Sequence, residues 1–123
     1  MSKYTQNNFL KSFKTALNGL FLSYKTQKNF RKHVLAAIIV LFLACFLRFD
    51  AIEFCILFFA IGFVMVSELF NSVIEYSLDA YYKNKYSKLV KFAKDMAAGG
   101  VLIATFISVL IGMILFGSHL INL

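Results

Sequence analysis

Met96-Ala97-Ala98-Gly99-Gly100-Val101-Leu102-Ile103-Ala104-Thr105-Phe106-Ile107-Ser108-Val109-Leu110-Ile111-Gly112-Met113-Ile114-Leu115-Phe116-Gly117 carries no charge over its whole length. As a helix it measures roughly 33 Å at about 1.5 Å per residue, enough to cross a ~30 Å hydrocarbon core. A backbone in lipid must satisfy its own N–H and C=O groups, and without alternating porin-like strands only helices do so. The stretch therefore predicts a spanning helix over 94–117. The whole composition agrees: 60% of residues are hydrophobic, only 15% are charged and proline is absent, with a mean hydropathy of +0.74. These values lie far from the balance of a water-soluble domain.

Two further apolar blocks precede it. Phe54 to Ser67 is charge-free and continues without a breaker through Glu68, Asn71 and Glu75, which predicts a helix over 52–79 that leaves the bilayer carrying acids. Val34 to Leu47 is shorter. It becomes a span over 30–48 once Arg31, Lys32 and His33 are counted as a snorkelling flank. Residues 9–25 place Leu10, Phe13, Leu17, Leu20 and Tyr24 at helical spacing, with Lys11, Asn18 and Lys25 off that stripe. That pattern predicts an amphipathic helix lying in the membrane interface. With no linker, repeat or low-complexity stretch in view, the expectation is an all-α fold: one membrane domain, 1–123, with an N-terminal surface helix and three transmembrane helices.

The net charge of +7 does not point to nucleic acid, because the basic residues flank apolar blocks instead of interleaving with aromatics on a polar surface. It sets orientation. Lys3, Lys11, Lys14, Lys25, Lys28, Arg31 and Lys32 lie in a segment without an acid, and Lys83, Lys85, Lys88, Lys91 and Lys94 form a second basic stretch. Both are expected on the cytoplasmic side, with the Arg48 to Glu53 connection and the C-terminus outside. The N-terminal stretch has no short apolar core and cleavage site, so no signal peptide is read there. Cys45 and Cys55 fit no metal or redox spacing and read as buried packing residues. His33 and His119 read as interfacial side chains.

Two clusters could carry chemistry. Glu68, Asn71, Glu75 and Asp79 follow at spacings of three, four and four, within about 80° of one helical face. Carboxylates at the end of a span need partners, and such oxygens suit a hard cation such as magnesium. They would equally serve as a solvated helix end satisfied by nearby lysines. The second cluster, Ala93-Lys94-Asp95-Met96-Ala97-Ala98-Gly99-Gly100, joins a phosphate-binding type of side chain to a helix start and small residues. A Lys-Asp pair beside a helix contact explains it as well. No Walker loop, dinucleotide fingerprint or protein-kinase segment occurs, so any use of ATP requires another architecture.

The run Glu68-Leu69-Phe70-Asn71-Ser72-Val73-Ile74-Glu75-Tyr76-Ser77-Leu78-Asp79, followed by Ala93-Lys94-Asp95-Met96-Ala97-Ala98-Gly99, resembles the signature of the bacterial diacylglycerol kinase and undecaprenol kinase family. The likeness covers nearly the whole chain, including Phe13 to Leu22 and Asn29-Phe30-Arg31-Lys32-His33. It implies a homotrimer of three-span subunits in the bacterial inner membrane, with active sites shared between protomers at the cytoplasmic surface. It further implies that Glu68 is the general base on a lipid hydroxyl and that Glu75 holds the metal of MgATP. By the same likeness Asn71 supports that pair, Asp79 and Asp95 contact the nucleotide, and Lys94 meets its phosphates. One position departs from the pattern: Gln27 stands where the family usually has a second metal-binding glutamate, and no Asp or Glu precedes Asp50.

The implied activity is transfer of the γ-phosphate of ATP to the terminal hydroxyl of diacylglycerol or undecaprenol, with Mg2+ as the metal. Two other readings compete. Gln27 could mark a weakened or inactive member, or the chain could be a non-enzymatic transporter or partner subunit. A transporter should carry ionisable residues near mid-membrane, whereas these cluster at one end of the spans.

Overall fold

The computed structural model of the chain describes residues 8–83 and 85–122; Lys3, one of the basic residues read as an inner flank, lies outside them. Four helices follow one another: α1 (Phe9–Thr26), α2 (Lys28–Phe46), α3 (Ala51–Tyr82) and α4 (Lys88–Ile121). The last three are long and apolar enough to cross a membrane. At 32 and 34 residues, α3 and α4 measure about 48 and 51 Å, well beyond a ~30 Å core. Both therefore extend past the apolar layer.

Each helix end has a specific cause. The Asn8 side chain accepts from the Lys11 N–H at 2.8 Å and opens α1. Gln27, in an extended conformation, closes α1 and opens α2. The carbonyls left bare at the end of α1 are met by Arg31, whose guanidinium donates to Tyr24 O and Lys25 O at 2.9 Å each. At the other end of α2, Arg48 takes a left-handed conformation and the Phe49 N–H returns to Ala44 O at 3.0 Å, a helix stop usually built on glycine. Asp50 then caps α3 reciprocally: Glu53 N–H donates to Asp50 Oδ1 at 2.8 Å and Asp50 N–H to Glu53 Oε1 at 3.0 Å. Left-handed Lys83 ends α3.

Packing is antiparallel and centred on α3, mostly against α4 and less against α2. Three polar contacts fix the α3/α4 register: His119 Nε2 to Glu53 Oε2 at 2.5 Å, Ser108 Oγ donating to Ala60 O at 2.9 Å, and Lys94 Nζ donating to Asp79 Oδ1 at 2.6 Å. Between them, Ala60 and Ala104 are buried, small residues that let the backbones approach. Near the α2/α3 turn a core forms from Ala44, Phe49, Leu57 and Leu115, with the Phe49 ring stacked 4.6 Å from that of His119. The outward faces stay apolar and bare: Phe42, Phe59 and Leu102 each expose more than two thirds of their surface, and Cys45 and Cys55, expected to be buried, lie exposed as well. Water would penalise such faces along three helices, while a bilayer accommodates them.

The Asp50 cap supports the start of the longest contact in the fold. Asp50→Ala is expected to lower stability by about 1 kcal/mol, seen as a lower midpoint in thermal unfolding in detergent micelles with the helical signal unchanged at the start. A melt superimposable on that of the parent chain contradicts this.

Candidate active site

α3 supplies the acidic stripe, and the structure distributes it over two levels. At the deeper level Glu68 is 5% exposed, and its partner comes from α2: His33 Nε2 lies 3.2 Å from Glu68 Oε1. One turn on, Asn71 Nδ2 approaches Glu75 Oε1 at 3.5 Å, too long to hold either group firmly. The Asn71 Oδ1 atom is buried and has no hydrogen-bond partner. Such an orphaned acceptor is rare in a packed protein and suits a donor or cation supplied from outside.

Gln27 reaches the same region from the α1/α2 break. Its Nε2 donates to the Tyr76 hydroxyl at 2.8 Å, so it is anchored beside the residue that follows Glu75. That bond uses the amide N–H and leaves the carbonyl oxygen as a possible ligand. Among the described residues no three His, Cys, Asp or Glu side chains gather as a metal-binding group. The donors present, Glu75 with the amide oxygens of Asn71 and Gln27, fit magnesium delivered on a triphosphate, which typically takes one or two carboxylates and completes its shell with phosphate and water.

The second level lies about 16 Å further along α3, reckoned at ~1.5 Å per residue from Glu68 to Asp79. There Asp79 and Lys94 of the same chain form their 2.6 Å ion pair at the wall of a cleft of about 390 Å³ between the end of α3 and the start of α4. Tyr82, Lys85, Tyr86, Lys91 and Asp95 line it too. Asp95 turns to Lys91, one helical turn earlier, at 2.6 Å. The cleft thus concentrates Lys85, Lys91 and Lys94 around two carboxylates, an arrangement that attracts an anion while keeping its lysines in place.

A different surface begins at His33. An apolar groove of about 510 Å³ runs between α2, α3 and α4 from His33 to Phe116, its wall apolar apart from His33, Thr105 and Ser108. His33 and His119, expected as interfacial side chains, are joined by the structure to Glu68 and Glu53. Both pairs join residues on different helices, so no spacing within one helix could disclose them. Tyr86 carries no signal in the sequence, Tyr76 stands in the quoted run without a role of its own, and Lys85, read there as part of a basic flank, lines the cleft.

Residues 14–116 match the family described as prokaryotic diacylglycerol kinase. The chain belongs to that family. It is similar to an undecaprenol kinase of Bacillus subtilis, 38% identical over 110 residues that cover 89% of each chain. A diacylglycerol kinase of Escherichia coli is 35% identical over 101 residues, 82% of each chain. A third relative, a diacylglycerol kinase of Synechocystis, is 37% identical over 105 residues, 85% of this chain and 60% of the relative. These names are those of lipid kinases, and the three spans place this bacterial family member in a membrane.

Because the Asp79 and Lys94 side chains are each more than a third exposed, their attraction is screened. A double-mutant cycle with Asp79→Asn and Lys94→Met is expected to give a coupling of about 0.5 kcal/mol in unfolding experiments. A coupling above ~2 kcal/mol would mean that the pair is locked in an apolar setting.

Proposed function

We propose that the chain transfers the γ-phosphoryl group of ATP to the terminal hydroxyl of a membrane lipid alcohol, diacylglycerol or undecaprenol, at the cytoplasmic membrane surface. The observation that carries this reading is the burial of Glu68 on a spanning helix, next to the end of an apolar groove. A buried acid in such a helix calls for a functional account, and a lipid chain lying along the groove would bring its hydroxyl to that end. The two basic stretches favour the cytoplasmic side by the positive-inside rule. The apolar outer face of α1, with Phe9 and Leu10 more than two thirds exposed, supports its placement in the membrane interface.

In this reading Glu68 accepts the hydroxyl proton as the lipid oxygen attacks phosphorus. Glu75, Asn71 and Gln27 hold magnesium, which when bound neutralises charge on the triphosphate. Lys94 meets the phosphates by sharing itself between Asp79 and the incoming anion, while Asp79 and Asp95 border the nucleotide cleft. The family resemblance supports a homotrimer, in which neighbouring subunits cover part of the exposed apolar surface and complete the sites.

The deciding experiment measures labelled phosphate transferred from ATP to diacylglycerol or undecaprenol in mixed micelles. The parent chain is expected to label at least one lipid, and Glu68→Gln to reduce turnover by about 100-fold or more. No labelled lipid from the parent, with Glu75→Ala equally silent, would reject the reading in favour of an inactive or non-enzymatic protein. Gln27 provides a second test. An amide oxygen brings no negative charge to the metal, so Gln27→Glu is expected to lower the magnesium concentration needed for half-maximal activity and to raise turnover. An unchanged magnesium dependence shows that position 27 does not serve the metal.

A further inference from the structure

Glu68 is the group that the proposed reaction leaves protonated, and it is poorly placed to lose that proton by itself. Its side chain is 6% exposed, against 27% for His33, whose Nε2 lies 3.2 Å away. α4, which also packs against α3, has no charged side chain anywhere from Met96 to Gly117. On the α2 side, the Arg31 guanidinium is engaged by the carbonyls of Tyr24 and Lys25. Glu75 lies two turns along α3 and faces Asn71. Among the described residues the imidazole is thus the titratable group in contact with Glu68, and it is the more exposed of the two. It also borders the end of the apolar groove, beside the position at which a lipid hydroxyl would arrive.

We infer that His33 acts through this base as a positioning residue: after each turnover it takes the proton from Glu68 and carries it to water. The inference rests on the lipid kinase reading. The proton and bond changes balance as follows. The lipid O–H proton moves to the Glu68 carboxylate while the lipid oxygen bonds to the γ-phosphorus; the bond between that phosphorus and the β,γ-bridging oxygen breaks, and ADP leaves. Glu68 then passes its proton to Nε2 of a His33 whose N–H is on Nδ1; the resulting imidazolium releases the Nδ1 proton to water, and exchange of the remaining ring proton through water returns the starting tautomer and restores both groups. Imidazole suits the task because it accepts and releases protons near neutral pH. A lysine or arginine here would hold the carboxylate but would not accept its proton.

The test uses the full chain in mixed micelles with labelled ATP, with diacylglycerol and undecaprenol assayed separately. His33→Gln keeps a hydrogen-bonding side chain but cannot shuttle a proton; kcat is expected to fall by about 100-fold, with KM for ATP and for lipid unchanged. His33→Ala is expected to regain turnover as free imidazole is added, whereas Glu68→Gln gains nothing from it. Helical content and nucleotide binding matching the parent establish that each variant is folded, and His33→Gln alone decides if His33→Ala is not. An active parent with His33→Gln equally fast, or a folded His33→Ala that imidazole does not restore, overturns the role of His33 and leaves the kinase reading standing. A parent that labels neither lipid removes both.

Discussion

A carboxylate on a membrane-spanning helix keeps its charge only beside a group that replaces water, and this requirement organises α3. Three of its acids meet partners on other helices at successive levels, Glu53 with His119, Glu68 with His33 and Asp79 with Lys94, while Glu75 approaches Asn71 on α3 itself. Between apolar faces, van der Waals packing alone permits many registers, because lipid tails and leucines are equally apolar. The polar contacts, with Ser108 on Ala60 O between them, select one. The same contacts that satisfy α3 therefore align α2 and α4 on it and determine which residues can form a site.

Gln27 is the second point at which local and long-range structure meet. It interrupts the chain between two helices without glycine or proline, and the break holds because Arg31 takes over the carbonyls that α1 leaves unbonded. The break turns Gln27 toward α3, where it bonds Tyr76. A carboxylate at this position would lose the amide donor, and the Tyr76 hydroxyl would have to reverse and donate to it. Tyr76 can serve in either direction. The difference between glutamine and glutamate here thus lies less in whether the side chain can stay in place than in the charge it presents beside Tyr76.

The three spanning helices were legible because hydropathy acts residue by residue: uncharged blocks such as 96–117 admit no other solvent. The acidic stripe was equally plain, since helical spacing alone places Glu68, Asn71, Glu75 and Asp79 on one face. What escaped was everything that depends on register between helices. His33 and His119 looked like flanking residues because nothing near them in sequence needs them; their partners lie on α3. The stops at Arg48 and Lys83 escaped for another reason. Both use left-handed backbone on side chains that usually avoid it, so no glycine marks the end of α2 or α3.

Separation of the two levels on α3 bears on how one chain could serve two substrates of opposite character. In the proposed reading, a lipid approaches Glu68 along an apolar groove and a nucleotide approaches Lys94 through a charged cleft, and the triphosphate must extend inward past Asp79 and Glu75 to meet the hydroxyl. Those carboxylates repel it unless cations intervene. Lysines are gathered at the cleft, whereas at the Glu75 level the available groups are one carboxylate and two amides. Magnesium riding on the triphosphate would compensate there, and a neutral Gln27 would weaken its attachment while also lessening repulsion of the phosphates themselves. The balance between those opposed effects, at a single side chain, then governs how readily the nucleotide reaches the depth at which Glu68 is held.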